Sequence, residues 1–305
     1  MRWLVAAVLS LRCALPLAWV GQRGLAAPRR LASLQAQKGG ASSDELLIVG
    51  CGYLGVRVAS RWTAAYGKVV GETRSTKLHA DIAAAGASPR LRDQRDGAKY
   101  PYVLFCAPPG ANQDEYAEQV AAAAADCWDG TGAFVFTSSG AVYSESAGGR
   151  VDEDSALAFT PRSTVLIAAE YACVKADGCV LRLAGLYSLE RGPHSYWLKQ
   201  TSVDARPDGV VNLLHYDDAA TASIAALRKG ETQETWLVSD GSPITREAIC
   251  AAAVKAARYA GTAPPAFTGA APQPLGRIYD DAVTRADLAW APEFASFDKF
   301  IDSLA

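Results

Sequence analysis

The stretch Glu45-Leu-Leu-Ile-Val-Gly-Cys-Gly-Tyr-Leu-Gly-Val-Arg-Val-Ala59 decides the fold of this chain. It is an apolar run, a glycine turn with the pattern Gly50-x-Gly52-x-x-Gly55, and then a helical pattern. In such a turn the first glycine permits the bend, the second leaves room for a pyrophosphate, and the third allows close packing of helix on strand. The phosphates lie at the helix N-terminus. The stretch therefore predicts a dinucleotide-binding site.

Strands and helices alternate after the glycine turn. Apolar runs at 68–72, 101–107, 132–136 and 179–184 predict strands, and helical patterns at 75–85, 112–128 and 161–174 lie among them. This alternation predicts an α/β fold, a Rossmann-type doubly wound parallel sheet. Shorter predicted strands (210–214 and 234–239), helices (217–227 and 244–259) and one or two final small helices indicate a smaller C-terminal α/β region. We predict a targeting segment at 1–43, a dinucleotide-binding domain at 44–187 and a substrate-binding region at 188–305.

The distribution of charge argues against binding of nucleic acid. The chain of 305 residues has 30 basic and 32 acidic residues, and the first 43 residues hold six of the basic residues and none of the acidic ones. The remainder is therefore acidic, whereas a phosphate backbone demands a basic face. An organellar RNA-associated role is correspondingly disfavoured.

The N-terminal segment has the composition of a targeting sequence. An apolar run follows Arg2, but Arg12 and Pro16 interrupt it, so no stable membrane span is expected. The arginine-containing, acid-free continuation resembles a bipartite import signal, which predicts an organelle, a plastid in particular, with secretion as the alternative. The seven scattered cysteines contain no CxxC pair, which indicates reduced thiols and no metal site, and reduced thiols argue against secretion.

Several motifs resemble those of the extended short-chain dehydrogenase/reductases, the NAD-dependent epimerase and dehydratase branch, across almost the whole chain from Glu45 onward. One departure is Val49, which occupies the place of the first glycine of that branch and makes the turn similar to that of atypical members. The matching segments are the glycine turn, Phe136–Tyr143, Leu181–Tyr187, His215–Asp218, Val238–Gly241 and Asp287–Pro292.

The resemblance implies a catalytic Ser or Thr, a Tyr and a Lys. Ser139 matches the serine by its distance from Tyr143, although a serine at this place could instead cap the loop after a strand. Tyr143 follows this loop and is our candidate for proton transfer. The pair Tyr171-x-x-x-Lys175 looks like the remaining motif, but only three residues separate Lys175 from the next predicted strand. We interpret this pair as a decoy at the wrong end of its helix.

Alignment of the following Ala-Glu with the family pattern instead puts Arg162 and Leu166 at the Tyr and Lys positions, where neither can do the chemistry. Other candidates for proton transfer are Tyr187 and two residues of the presumed substrate loop, His194 and Tyr196. Each of these could instead be a pocket-lining or solvated residue. His215 is expected to hold the start of a helix beside Asp217 and Asp218.

The choice of cofactor depends on the tip of the second predicted strand. An acidic residue there would bind the ribose hydroxyls of NAD, whereas a small residue followed by arginine would accept the 2′-phosphate of NADP. Glu72 supports NAD, but the family pattern puts the deciding position on Thr73, so NADP is favoured over NAD. The predicted cofactor-binding residues are Gly50, Cys51, Gly52, Tyr53, Leu54, Gly55, Thr73, Arg74, Ser75, Ala107 and Pro108.

The resemblance implies an NAD(P)-dependent oxidoreductase, epimerase or dehydratase that acts on a small polar substrate such as a nucleotide sugar. The alternative is a catalytically inactive NAD(P)-binding scaffold or redox sensor that has lost the Tyr-Lys pair. The expected partner is a small-molecule substrate, and a homodimer is left open.

Overall fold

The structure is a computed structural model that describes residues 44–304. The predicted targeting segment 1–43 lies outside these residues. The strands are β1 Leu46–Val49, β2 Val69–Thr73, β3 Ser88–Leu91, β4 Tyr100–Phe105, β5 Trp128–Ser139, β6 Ala147–Val151, β7 Cys179–Leu183, β8 Gly185–Tyr187, β9 Ser202–Val203, β10 Val210–Val211, β11 Leu213–His215, β12 Thr235–Val238, β13 Ile244–Thr245, β14 Ala266–Phe267 and β15 Gly276–Tyr279. The α-helices are α1 Tyr53–Ala65, α2 His79–Ala84, α3 Tyr116–Cys127, α4 Pro161–Lys175, α5 Pro193–Trp197, α6 Tyr216–Lys229, α7 Arg246–Ala253, α8 Ala282–Leu288 and α9 Phe297–Asp302.

Seven strands form one sheet in the order β12-β7-β5-β4-β1-β2-β3, and each neighbouring pair is parallel. The predicted doubly wound parallel sheet is confirmed. Its chain order reverses between β1 and β4, and ligands of such sheets bind at this switch point, outside the carboxyl ends of the strands.

Apolar side chains pack on both faces of the sheet. On one face Val58 and Trp62 of α1 join a core that includes α6, and on the other face Val120 of α3 and Cys173 of α4 join a second core. A third core around Tyr187, Ile249 and Phe297 holds the C-terminal region, which confirms the expectation that this region has α/β elements of its own. Burial of these side chains supplies the main driving force for folding.

Some predicted elements have different bounds. The edge strand β3 was not predicted, because the sequence Ser-Pro-Arg-Leu lacks an apolar run. Two predicted helices, 75–85 and 112–128, begin as 3₁₀ turns and become α-helical only at His79 and Tyr116. Within the predicted helix 244–259, only α7 is α-helical. The prediction was too long because no glycine or proline marks the end of the helix at Ala253.

Candidate functional site

The glycine turn joins β1 to α1. Gly50 has a φ of +83°, and a Cβ added there would lie 2.5 Å from the Cβ of Ala107. A Cβ at Gly55 would lie 3.0 Å from Cγ2 of Ile48. Glycine is therefore required at Gly50 by the backbone and at Gly55 by the packing of helix on strand.

Gly52 differs from these two glycines because no side chain of residues 44–304 fills the space beside it. A Cβ at Gly52 would have only the carbonyl oxygen of Gly50 within 4 Å, at 3.8 Å. Gly52 is also the N-cap of α1 and supplies no capping side chain. The first N–H groups of a helix have no acceptor within the helix. This open cradle beside free N–H groups fits the pyrophosphate of a dinucleotide.

The turn lies beside two other predicted site segments. Val49 pairs with Phe105 at the carboxyl ends of β1 and β4, so Gly50 and Ala107 follow adjacent strands on the two sides of the switch point. Phe105 pairs in turn with Phe136 of β5, the strand that ends at Ser139. The structure therefore brings the glycine turn, the segment Cys106–Gly110 and Ser139 to one edge of the sheet.

Two residues of the turn have side chains in the core. Cys51 is fully buried, Leu54 is 8 % exposed, and both belong to the core beneath α1. Burial raises the pKa of the Cys51 thiol to about 12, so the thiol is uncharged at physiological pH. These two residues can therefore contact a dinucleotide only through their backbone.

Tyr53 connects the turn to a distant loop. Its hydroxyl donates to the Glu190 carboxylate and accepts a hydrogen bond from the Ser188 hydroxyl at 3.1 Å. The guanidinium carbons of Arg57 and Arg191 lie over its ring, 3.8 and 4.6 Å from the centroid. Sequence reasoning missed these contacts, because no local pattern pairs residue 53 with residues 188–191.

A groove of about 600 Å³ runs along the outer side of α1. Arg57 and Arg61 pair there with Asp217, at 3.4 and 2.9 Å. Tyr53 of the turn lines this groove, whereas the glycines of the turn and Ser139 do not.

At the tip of β2, ion pairs hold the Glu72 side chain inside the protein. Glu72 is 1 % exposed and forms ion pairs with Arg95 at 2.7 Å and Arg90 at 3.2 Å. Its carboxylate oxygens accept four hydrogen bonds or ion-pair contacts from these two guanidinium groups. The carboxylate is thus engaged inside the protein and is not available to a ribose.

The next three residues have different surroundings. Thr73 Oγ1 donates to the carbonyl oxygen of Ser75 at 2.9 Å and lies 3.0 Å from Nε2 of His79. Arg74 and Ser75 are exposed. Nη1 of Arg74 lies 3.3 Å from the Cβ position of Gly110, and this guanidinium forms no ion pair with another described residue. Arg74 therefore reaches from the tip of β2 toward that of β4, and no acidic side chain of residues 44–304 pairs with it. Pro108 is exposed on the second tip.

Ser139 ends β5 and begins a 3₁₀ turn over Gly140–Val142. Its Oγ accepts a hydrogen bond from the Ala141 N–H at 3.2 Å, and the residue is partly exposed. The serine therefore caps a turn, as one interpretation expected, and its hydroxyl proton remains free to be donated toward the sheet edge. Its catalytic role stays a prediction.

Tyr143 is placed differently from what a proton donor requires. It is fully buried, and its hydroxyl accepts a hydrogen bond from Nη1 of Arg182 at 3.2 Å. Burial raises the pKa of this phenol despite the nearby guanidinium. Arg182 is held in turn by Glu170, which also accepts from Ser138 at 2.5 Å. Tyr143 is thus part of a buried polar network, and its hydroxyl is engaged by Arg182.

Tyr171 and Lys175 lie at the C-terminal end of α4. Thr160 caps the N-terminus of this helix and Pro161 is its first residue, as predicted. Tyr171 lies about 15 Å along the axis from Pro161. Lys175 is exposed and ends the helix just before the amino end of β7. The pair is therefore at the edge of the sheet opposite to Ser139.

The remaining candidates are mostly buried. His194, expected in an irregular loop, is instead fully buried in α5, and its Nε2 lies 3.1 Å from the carbonyl oxygen of Leu189. Burial lowers its pKa. Tyr187 is also fully buried, whereas Tyr196 is 63 % exposed on α5. His215 accepts a hydrogen bond from the Asp217 N–H at 3.2 Å, which confirms its predicted place at the start of α6.

Two features are absent from residues 44–304. No helix in this range is long and apolar enough to cross a membrane. No group of three or more His, Cys, Asp or Glu side chains in this range could hold a metal ion.

Comparison with solved structures identifies the fold. Neither a protein-family model nor a curated protein matches the sequence. A functionally unknown conserved protein from Silicibacter pomeroyi DSS has a TM-score of 0.70 and 21 % identity, over 85 % of this chain and 97 % of that one. The Bordetella bronchiseptica enzyme WbmG, in complex with NAD, has a TM-score of 0.66 and 18 % identity, over 88 % and 94 %. UDP-glucose 4-epimerase from Thermotoga maritima, with UDP-glucose, has a TM-score of 0.65 and 14 % identity, over 85 % of this chain and 97 % of that one.

These neighbours confirm the expected resemblance at the level of the fold. The chain has the same Rossmann-type α/β fold as WbmG and UDP-glucose 4-epimerase. At identities of 14–21 % the likeness establishes the architecture, and substrate and activity have to be argued from the site.

Proposed function

We propose that this chain binds NADP in preference to NAD and catalyses an oxidoreduction, epimerisation or dehydration of a small polar substrate such as a nucleotide sugar. The observation that carries the proposal is the open cradle at Gly52, which lies at the switch point of the sheet and on the same edge as Ser139. The neighbours in complex with NAD and with UDP-glucose support this class of cofactor and substrate.

Each part of the site has a role in this proposal. The N–H groups at the start of α1 bind the pyrophosphate, and Gly52 leaves it room. Arg74 binds the 2′-phosphate, since its guanidinium has no other ionic partner among residues 44–304. When bound, the dinucleotide supplies or accepts a hydride. Ser139 orients a substrate oxygen at the sheet edge by donating its hydroxyl proton.

The alternative is a cofactor-binding scaffold or redox sensor without turnover. The observation that favours it is that Tyr143 is buried and that Tyr171 and Lys175 lie at the far edge of the sheet. Under both readings the acid-free segment 1–43 is proposed to direct the chain to an organelle, a plastid in particular.

The test begins with the natively purified chain. Mass spectrometry of the released small molecules should identify NADP(H), and calorimetry should show tighter binding of NADP than of NAD. The loaded chain is then incubated with UDP-glucose and other UDP- and dTDP-sugars, and the cofactor absorbance and the sugar NMR spectrum are followed. A change in either supports the enzyme. Bound cofactor with no change in either favours the scaffold, and absence of dinucleotide binding contradicts both readings.

A further inference from the structure

One tyrosine from the C-terminal region lies against the serine turn, the 3₁₀ turn Gly140–Val142 that Ser139 caps. Tyr279 ends β15, and β15 pairs in parallel with β6. A Cβ added at Gly140, the residue after Ser139, would lie 2.5 Å from Cζ of Tyr279 and 2.7 Å from its Cε2. The phenol of Tyr279 therefore fills the space that a side chain at residue 140 would occupy.

Four hydrogen bonds hold the strand of Tyr279 in this place. Arg277 donates through Nη1 to the carbonyl oxygens of Gly140 at 3.2 Å and Tyr143 at 2.5 Å. The Tyr279 N–H donates to Oδ1 of Asn212 at 3.0 Å, and Nδ2 of Asn212 donates to the Arg277 carbonyl oxygen at 2.9 Å. The strand that carries the phenol is thus tied to the serine turn on one side and to the segment before β11 on the other.

The hydroxyl of Tyr279 is available for chemistry. It makes no hydrogen bond to another residue of the described chain, although the side chain is only partly exposed. Tyr143 differs in this respect, since its hydroxyl is bound by Arg182. The ring of Tyr279 packs edge to face on that of Tyr143, with centroids 6.1 Å apart, so its orientation is fixed. A fixed phenol with a free hydroxyl is suited to proton transfer.

Burial and the Arg277 guanidinium act in opposite directions on the pKa of the Tyr279 phenol. Burial raises the pKa of the phenol to about 12, while the Arg277 guanidinium acts in the opposite direction. The phenol is therefore protonated at neutral pH and ready to donate. Arg277 is the nearby cation that stabilises the phenolate once the proton has left.

We propose that Tyr279 is the catalytic proton donor and acceptor of this site, in place of the tyrosine that α4 lacks. The inference rests on the proposed function. In the reducing direction a substrate carbonyl receives a hydride from the reduced dinucleotide at carbon and the Tyr279 Oη proton at oxygen, which yields an alcohol and a phenolate. Solvent then returns a proton to the phenolate. In the oxidising direction the phenolate takes the proton of the substrate alcohol while its carbon gives up the hydride.

The test compares Tyr279→Phe with Tyr171→Phe, the same chemical change at the far edge of the sheet. Both variants should bind NADP with an affinity within about twofold of the wild type. With a sugar that the wild type converts, Tyr279→Phe should lower turnover at least about a hundredfold, and Tyr171→Phe should change it less than twofold. In the oxidising direction the wild-type rate should rise with pH, because the phenolate is the acting form, and Tyr279→Phe should lose this rise.

A second measurement does not depend on turnover. In the chain labelled with ¹³Cζ-tyrosine, the Tyr279 resonance, assigned by its absence from Tyr279→Phe, should shift when UDP-glucose is added to the NADP-loaded protein. The resonance of Tyr171 should not shift.

The possible results separate the role of Tyr279 from the proposed function of the chain. Turnover in Tyr279→Phe within threefold of the wild type, with Tyr279 unshifted by a sugar that binds, would overturn the inference and leave the proposed function standing. Binding of NADP without conversion of any sugar would overturn both the enzymatic function and the inference. Failure to bind either dinucleotide would overturn the proposed function at its first step.

Discussion

Arg95 and Glu72 form a two-point ion pair at the tip of β2, with Nη2 2.7 Å from Oε1 and Nε 2.8 Å from Oε2. Arg90 adds two further contacts to the same carboxylate, at 3.2 and 3.3 Å. Glu72 is the acidic residue that could have suggested NAD, and this pairing gives it a structural role instead. The tip of β2 is thus left to Thr73, Arg74 and Ser75.

Glu72→Gln should destabilise the fold without changing the preference between NAD and NADP. The substitution leaves two guanidinium groups without their carboxylate, which costs about 3 kcal/mol in a pair as buried as this one. The free energy of unfolding in urea measures the loss. Glu118→Gln, on the exposed face of α3, is the control and should lose less than about 0.5 kcal/mol. A selective loss of NAD affinity in Glu72→Gln would show that Glu72 does contact the ribose.

Arg74→Ala should weaken binding of NADP and leave binding of NAD almost unchanged. A hydrogen bond to a charged group contributes about 1.5 to 3 kcal/mol, which calorimetry resolves easily. Lys77→Ala removes another exposed cation from the same segment and controls for a general effect of charge. Equal losses for both dinucleotides in Arg74→Ala would refute the 2′-phosphate role.

Gly52→Val and Gly50→Ala should separate binding from folding. Valine at Gly52 has room in the protein alone, so it should abolish dinucleotide binding at a cost of no more than about 1 kcal/mol in stability. Alanine at Gly50 must adopt a positive φ and overlaps Ala107, so it should cost more than about 2 kcal/mol. Calorimetry and urea unfolding of both variants provide the two measurements. Wild-type affinity in Gly52→Val would exclude a pyrophosphate at this turn.

Asp240→Asn should remove a pH dependence of stability. Asp240 is 3 % exposed, and burial raises its pKa to about 7, even though Oδ1 accepts the Ser242 N–H at 2.9 Å. Because the folded pKa is the higher one, the folded state holds this proton more tightly. The stability from Asp240 is therefore full below about pH 4 and falls by about 1.4 kcal/mol per pH unit up to about pH 7.

The asparagine variant should consequently gain stability over the wild type as the pH rises from 4 to 7. Urea unfolding at several pH values measures the difference. Asp302→Asn, at the exposed end of α9, should follow the wild-type profile. Parallel profiles for wild type and Asp240→Asn would contradict the assignment.

The glycine turn and the main strands were predictable because they depend on local sequence. Buried apolar runs and the spacing of Gly50, Gly52 and Gly55 predicted the central sheet and the turn between β1 and α1. The edge strand β3 was not predictable in this way, since its pairing with β2 rather than its own apolar content makes it a strand.

The surroundings of the site residues could not be read from the sequence, because the partners come from distant parts of the chain. Glu72 is buried by arginines 18 and 23 residues away, and Tyr143 is held by Arg182, which is 39 residues away. Tyr279 carries no motif that would connect it to Ser139. The position of Tyr171 could be inferred because it required only the length of one helix.

Arg277 contacts Gly140, a residue 137 positions earlier in the chain. The site is therefore completed late in synthesis of the protein. All seven strands of the central sheet have been synthesised once Val238 has been added, and the glycine turn is made well before the last of them is complete. The residues that pack against the serine turn from the C-terminal region are added only with β15, Gly276–Tyr279. A premature stop ahead of that strand would leave a chain that contains the dinucleotide cradle but not the wall that Arg277 and Tyr279 build beside Ser139.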